Sequence, residues 1–178
     1  MLKITIPATE LHDPVTNYFS YTKETTITIE HSLVALSKWE SKWKKPFLNE
    51  THSQDMFDDY IRCMTITQNV DPNVYYAITP EIRNRIREYM EDPMTAAVIH
   101  EDPKNKQTST KFVTSDLIYY WMTALNIPME CQKWHLNRLL TLIRIANIEN
   151  KPPKKPSRAD AIRKHKEVNA ARRAKLHR

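Results

Sequence analysis

No glycine occurs among the 178 residues, while 11 prolines do. That pairing narrows what the chain can fold into more than any other feature. Glycine reaches positive φ without a steric penalty and lets backbone approach a phosphate closely. Without it there is no Walker A loop, no G-x-G-x-x-G turn and no G-x-S-x-G elbow. Helices must end at proline, or with asparagine in the left-handed region.

Charge divides the chain unevenly. The net charge is +6, yet residues 151–178 hold 11 Lys/Arg against 2 Asp/Glu, a net +9. Residues 1–150 hold the other 16 and 19, a net −3. A mildly acidic body therefore carries a basic extension. Cys63 and Cys131 fall in apolar, helix-like segments. No secretory leader is legible in "MLKITIPATEL", so free thiols in a reducing cytoplasm are expected. The longest apolar run, "LIYYWM", is too short to span a bilayer, and a soluble chain with no membrane partner is expected.

"LKITI" and "TTITIE" alternate isoleucine with polar residues, the period-two pattern of half-buried strands. They read as a small antiparallel hairpin or ribbon, with Asp13-Pro14 and Asn17 in the turn and a third strand open at "YFSYT". Ser32 caps a helix bearing Leu33, Leu36, Trp43 and Phe47, limited by Pro46. Ser53 caps a second, with Phe57, Tyr60, Ile61 and Met64 on one face. Thr79-Pro80-Glu81 opens a third, whose stripe is Ile82, Ile86, Tyr89 and Met90. "EDPKNKQTSTK", residues 101–111, has no apolar residue and reads as a mobile surface loop. "TSDLIYYWMTALN", capped by Thr114 or Ser115 and stopped by Asn126, is apolar on every side and reads as the middle of a bundle. Pro128 starts the last helix of the body.

That last helix contains "PMECQKWHLNRLLTL", which brings Cys131, His135 and Asn137 together in sequence. These are the residue types of a thiol protease, and Cys plus His at a four-residue step could hold a metal. A metal site needs two further ligands, yet Cys63, His12, His31, His52 and His100 are scattered. A nucleophilic site needs Cys and His on facing elements beside an oxyanion donor. Lys133, Asn137, Thr141 and Arg144 instead form one solvated stripe, with Cys131 and His135 flanking the apolar side. The expectation is a packing cysteine and a hydrogen-bonded histidine. No catalytic residue, metal or cofactor is assigned. Trp39 and Trp43 in "KWESKWKK" share a helix face and read as packing. Asp55, Asp58 and Asp59 lack EF-hand spacing and suit a helix start. Tyr119, Tyr120 and Trp121 read as core.

The extension has its own chemistry. "KPPKKPS" is a proline-stiffened linker, and residues 158–178 are rich in alanine and arginine, helical or disordered, with few apolar residues. Lys154, Lys155, Arg158, Arg163, Lys164, Lys166, Arg172, Arg173 and Lys175 are its candidate partner-binding residues. An anionic partner, nucleic acid or an acidic protein face, suits them, and a solubilising role weighs equally.

"HSLVALSKWESKWKKPFL", "YIRCMTITQNV", "YMEDPMTA", "LIYYWMTALNIP", "ECQKWHLNRLLTLIRIANIENKPPKKPSR" and "NAARR" together make the chain similar to a family of small tailed-bacteriophage morphogenesis proteins, from about residue 1 to the end. The resemblance implies a tail assembly chaperone that binds the tape-measure protein and does no chemistry. It implies residence in the host cytoplasm during phage assembly. A virion component of the tail or neck, or a nucleic-acid-binding protein acting through residues 151–178, are the alternatives, and an oligomer is left open. The expected architecture is mainly α: a helical bundle (31–150), a short N-terminal β-hairpin (1–30) and a basic C-terminal extension (151–178).

Overall fold

Alternating isoleucine and threonine build the N-terminal ribbon. In the structure, a computed structural model describing residues 1–13, 17–97, 112–150, 162–163, 165–169 and 172–173, four strands precede every helix. They are β1 (Leu2–Ile6), β2 (Thr9–Asp13), β3 (Tyr18–Thr22) and β4 (Thr25–Ile29). β1 pairs with β4 and β2 with β3, both antiparallel. The partners run from Leu2↔Ile29 through Ile6↔Thr25 and Thr9↔Thr22 to Asp13↔Tyr18, so both ladders share one register. The sheets are two lengths of a single hairpin. The ladder breaks at Pro7, which has no N–H to donate. Threonine hydroxyls take up carbonyls on both strands there, Thr9 Oγ1 donating to Pro7 O (3.2 Å) and Thr25 Oγ1 to Lys23 O (2.9 Å). Asn17 takes the left-handed region, φ 52°, as the turn reading expected; Pro14 lies outside the described residues.

The inward face of the first length, Ile4, Ile6, Ile27 and Ile29, is at most 2% exposed and joins the main core. The outer edge of β4 is covered by residues 64–67. Glu30 N donates to Met64 O (2.9 Å), Ile66 N to Thr28 O (2.8 Å) and Thr28 N to Thr67 Oγ1 (2.8 Å). Covering an edge this way blocks strand addition along it.

The helices are α1 (Leu33–Trp43), α2 (Gln54–Met64), α3 (Pro80–Glu91), α4 (Ser115–Ala124) and α5 (Leu136–Glu149), with 3-10 turns at Pro72–Ala77 and Met129–Lys133. The side chains of Ser32, Ser53, Thr79 and Thr114 each accept from a backbone N–H three residues on, as an N-cap must. Trp39 is fully buried, its indole N–H donating to Met56 O (2.9 Å). The Trp43 indole donates to Asp59 Oδ2 (2.8 Å). Two of the three clustered acids are paired: Asp59 also meets Lys42, and Asp58 accepts Nε and Nη2 of Arg83 at 2.8 Å, while Asp55 lies in the first turn of α2. Glu40 ties three segments together, accepting Phe47 N (3.1 Å) and Ser115 N (2.7 Å).

Three expectations are corrected. The structure is 56% helical and 15% strand, a mixed α/β arrangement with two small antiparallel sheets, not a helical bundle with a short hairpin. The cause is the length of the ribbon, whose buried isoleucines supply a layer of the core. Second, α4 is not central: it buries Ser115, Ile118 and Met122, while Tyr120 is 67% exposed. Third, the last helix starts at Leu136. The stretch before it is a 3-10 turn closed by an extended Trp134 (ψ 163°). The 101–111 loop and the 151–157 linker lie outside the described residues. The chain divides into two compact units, Met1–Asn147 and Ile148–Arg178.

Lacking glycine, the chain places Asn17, Lys44, Asn69, Met94 and Asn126 at positive φ. Asparagine tolerates this region; Lys44 and Met94, at 55° and 51°, are strained by their β-carbons. Lys44 is the C-cap of α1, and Lys44→Gly should raise unfolding stability by about 1 kcal/mol. A denaturant midpoint equal to or below the parent's would contradict this.

Candidate partner-binding site

Cys131, His135 and Asn137 separate into distinct jobs. Cys131 is 4% exposed inside the core, and its backbone carbonyl accepts Trp134 N (3.0 Å). His135 and Asn137 close the end of α3. A helix leaves its last carbonyls without partners, and a glycine cap is the usual remedy. Here His135 Nε2 donates to Tyr89 O (3.1 Å), and Asn137 Nδ2 donates to Met90 O and Asp92 O, both at 2.8 Å. Asn137 therefore leaves the solvated stripe it was expected to share with Lys133 and Arg144. Asn137→Ala should cost about 1–2 kcal/mol by orphaning those carbonyls, whereas Cys131→Ala should cost less than a large core truncation. Chemical denaturation of the two variants checks the order.

His31, scattered in sequence terms, proves to be the neighbour of His135. Leu136 N donates to His31 O (2.7 Å), and an isolated bridge joins Ser32 to His135. The two rings meet edge to face, 5.2 Å between centroids. Around them lie Tyr60, whose hydroxyl is 2.8 Å from His31 Nδ1, and Tyr89, whose hydroxyl donates to Glu30 Oε1 (2.7 Å). Glu30 Oε2 also meets the α-amino group of Met1 (2.8 Å). Burial, reinforced by His135, holds the His31 pKa down to about 3. Burial lowers His135 as well, outweighing the bond to Tyr89 O and the attraction of Glu30. Both phenols are pushed up by burial and stay protonated. With Nε2–H given to Tyr89 O, Nδ1 of His135 keeps a buried lone pair with no partner among the described residues. The histidines and phenols make a hydrogen-bonded knot between the ribbon's exit, α2, α3 and the start of α5, with the Glu30–Met1 ion pair at its edge. Cys63 is half-buried with its thiol pushed up by burial, the opposite of an activated nucleophile.

The C-terminal candidates stand apart from this. Residues 162–163, 165–169 and 172–173 are helical, and Arg163, Lys166, Arg172 and Arg173 are exposed on them. Arg163 Nε lies 3.7 Å from Glu167, a fully solvated i,i+4 pair worth little. Lys154, Lys155, Arg158, Lys164 and Lys175 lie outside the described residues.

A feature the sequence reading missed lies between α4 and α5. Trp121, Leu140 and Ile143 form the walls of a cleft of about 370 Å³, with Leu48 and Val113 along its side. Among the described residues Arg144 is the one charged residue lining it, beside Asn49 and Asn147. Asn49 is engaged, its Oδ1 accepting Val113 N (2.8 Å). Leu48 is 36% exposed, which carries the apolar lining out to the surface.

Among the described residues no three His, Cys, Asp or Glu side chains come together as a metal cage, and no helix is long and apolar enough to cross a membrane. No protein-family model, curated protein or solved structure matches the chain.

Proposed function

We propose that this protein is a non-catalytic assembly factor of bacteriophage tails, a chaperone that holds the tape-measure protein before the tail tube forms. The phage assignment comes from the resemblance carried by "HSLVALSKWESKWKKPFL" and the segments after it. The observation that supports binding is the apolar cleft between α4 and α5, where Trp121, Leu140 and Ile143 leave a lined space that the fold does not fill. The histidine cluster, by contrast, spends most of its polar atoms on holding elements together. Quantitative mass spectrometry of purified virions beside the producing lysate tests the reading. Abundance in lysate with none in particles is the expected result; a fixed copy number in particles would mean a tail or neck component instead.

A second reading is favoured by a separate observation, the net +9 of residues 151–178 together with the exposed Arg163, Lys166, Arg172 and Arg173. On that reading the extension binds nucleic acid, and affinity falls steeply with rising salt as phosphate counterions are released. Absence of DNA and RNA binding at low salt by the full chain would end it.

A further inference from the structure

We infer that the α4–α5 cleft receives an amphipathic helix of a partner protein, whose apolar side chains enter between Trp121, Leu140 and Ile143 while an Asp or Glu of the same helix meets Arg144.

Three observations specify this occupant. Two walls of the cleft belong to helices, whose backbone groups are bonded within each helix. An extended peptide would find no ladder there, whereas a helix arrives with its own backbone bonds made. Apolar anchors at i and i+3 or i+4 on one helix face are the pattern such a cleft accepts. Among the described residues the charge is one-sided: Arg144 is exposed, no carboxylate lines the cleft, and Arg144 has no salt bridge. That selects an acid on the incoming helix and disfavours a basic one. The volume, about 370 Å³, falls near the lower end of ligand pockets, roughly 300–1,000 Å³. It admits anchoring side chains while the rest of the helix rests on the exposed Leu48.

The inference deepens the chaperone reading by naming where and how a partner helix would sit, but its test is independent of that partner. The probe is a fluorescein-labelled synthetic amphipathic helix of leucine and glutamate, titrated against full-length wild type, Arg144→Glu and Arg144→Lys. Arg144 is solvent-exposed, so both variants should retain the parental circular dichroism spectrum. Wild type and Arg144→Lys should bind it, Arg144→Glu should bind about tenfold more weakly, and a lysine-for-glutamate probe should reverse the order. A copy of the probe broken by a central proline should lose binding. No binding by wild type, equal binding by Arg144→Glu, or equal binding of the broken probe would each overturn the inference. The tape-measure protein is then tested against the same three chains. If the probe depends on Arg144 and the tape-measure protein does not bind at all, the cleft stands and the chaperone reading falls. If the tape-measure protein binds all three chains equally while the probe shows no dependence on Arg144, the chaperone reading stands and the cleft inference falls.

Discussion

Lowering the pH from 7 to 5 should strip stability from the fold well before the carboxylates titrate. The folded protein holds His31 at a pKa of about 3, against 6.5 for a free histidine. Between those values the unfolded chain binds a proton that the folded chain refuses. The stability linked to His31 is therefore complete above pH 6.5 and drains away as pH falls toward 3, at up to about 1.4 kcal/mol per pH unit. His135 is shifted in the same direction and adds to the loss. The groups facing the pair are Tyr60 from α2, Tyr89 from α3, Glu30 and the Met1 amine, with Asp92 near His135. Neither phenol ionises in this window, because both are raised. Urea titrations at successive pH values should show the decline, and His31→Asn should flatten it despite lowering stability at pH 7. A pH-independent midpoint between 7 and 5 would show that protonated histidines are accommodated after all.

The second large effect is at Trp39. Its ring is fully buried and meets Phe47, His52 and Tyr60 edge to face at 4.9, 4.8 and 6.5 Å, with Trp43 stacked at 6.1 Å. Trp39→Ala removes the centre of that group and the indole bond to Met56 O. Truncations of this kind cost about 3–5 kcal/mol, a large share of the roughly 5–15 kcal/mol that holds a domain together. The variant should be largely unfolded at moderate urea, and Trp39→Phe should recover much of the loss. A Trp39→Ala chain within about 1 kcal/mol of wild type would mean that the site collapses to fill the gap.

Local chemistry was readable in the sequence, and long-range partnership was not. Ser32, Ser53, Thr79 and Thr114 cap the helices expected of them because a cap needs only its own next three residues. Asn17 and Asn126 sit at positive φ for an equally local reason. The outer length of the ribbon was harder, since "TELHD" has too few apolar residues to announce a strand. Its pairing with "YFSYT" is imposed by the register the inner length already sets. The last helix begins late because the backbone at Trp134 is extended and the next residue bridges Ser32. Helical periodicity from Cys131 onward cannot report that. His31 gave one faint signal, a histidine wedged between a buried strand and a capping serine, but its partner lies at the far end of the body sequence. The cleft left no local trace, because Trp121 and Leu140 read as ordinary core residues until α4 and α5 are placed.

On the proposed function, this chain binds a phage tape-measure protein. Co-expression of the two, followed by affinity purification through the tape-measure protein and size-exclusion chromatography, tests it most directly. The expected result is a soluble complex in which this chain elutes together with the tape-measure protein. A tape-measure protein that stays insoluble, or elutes without this chain, would contradict it.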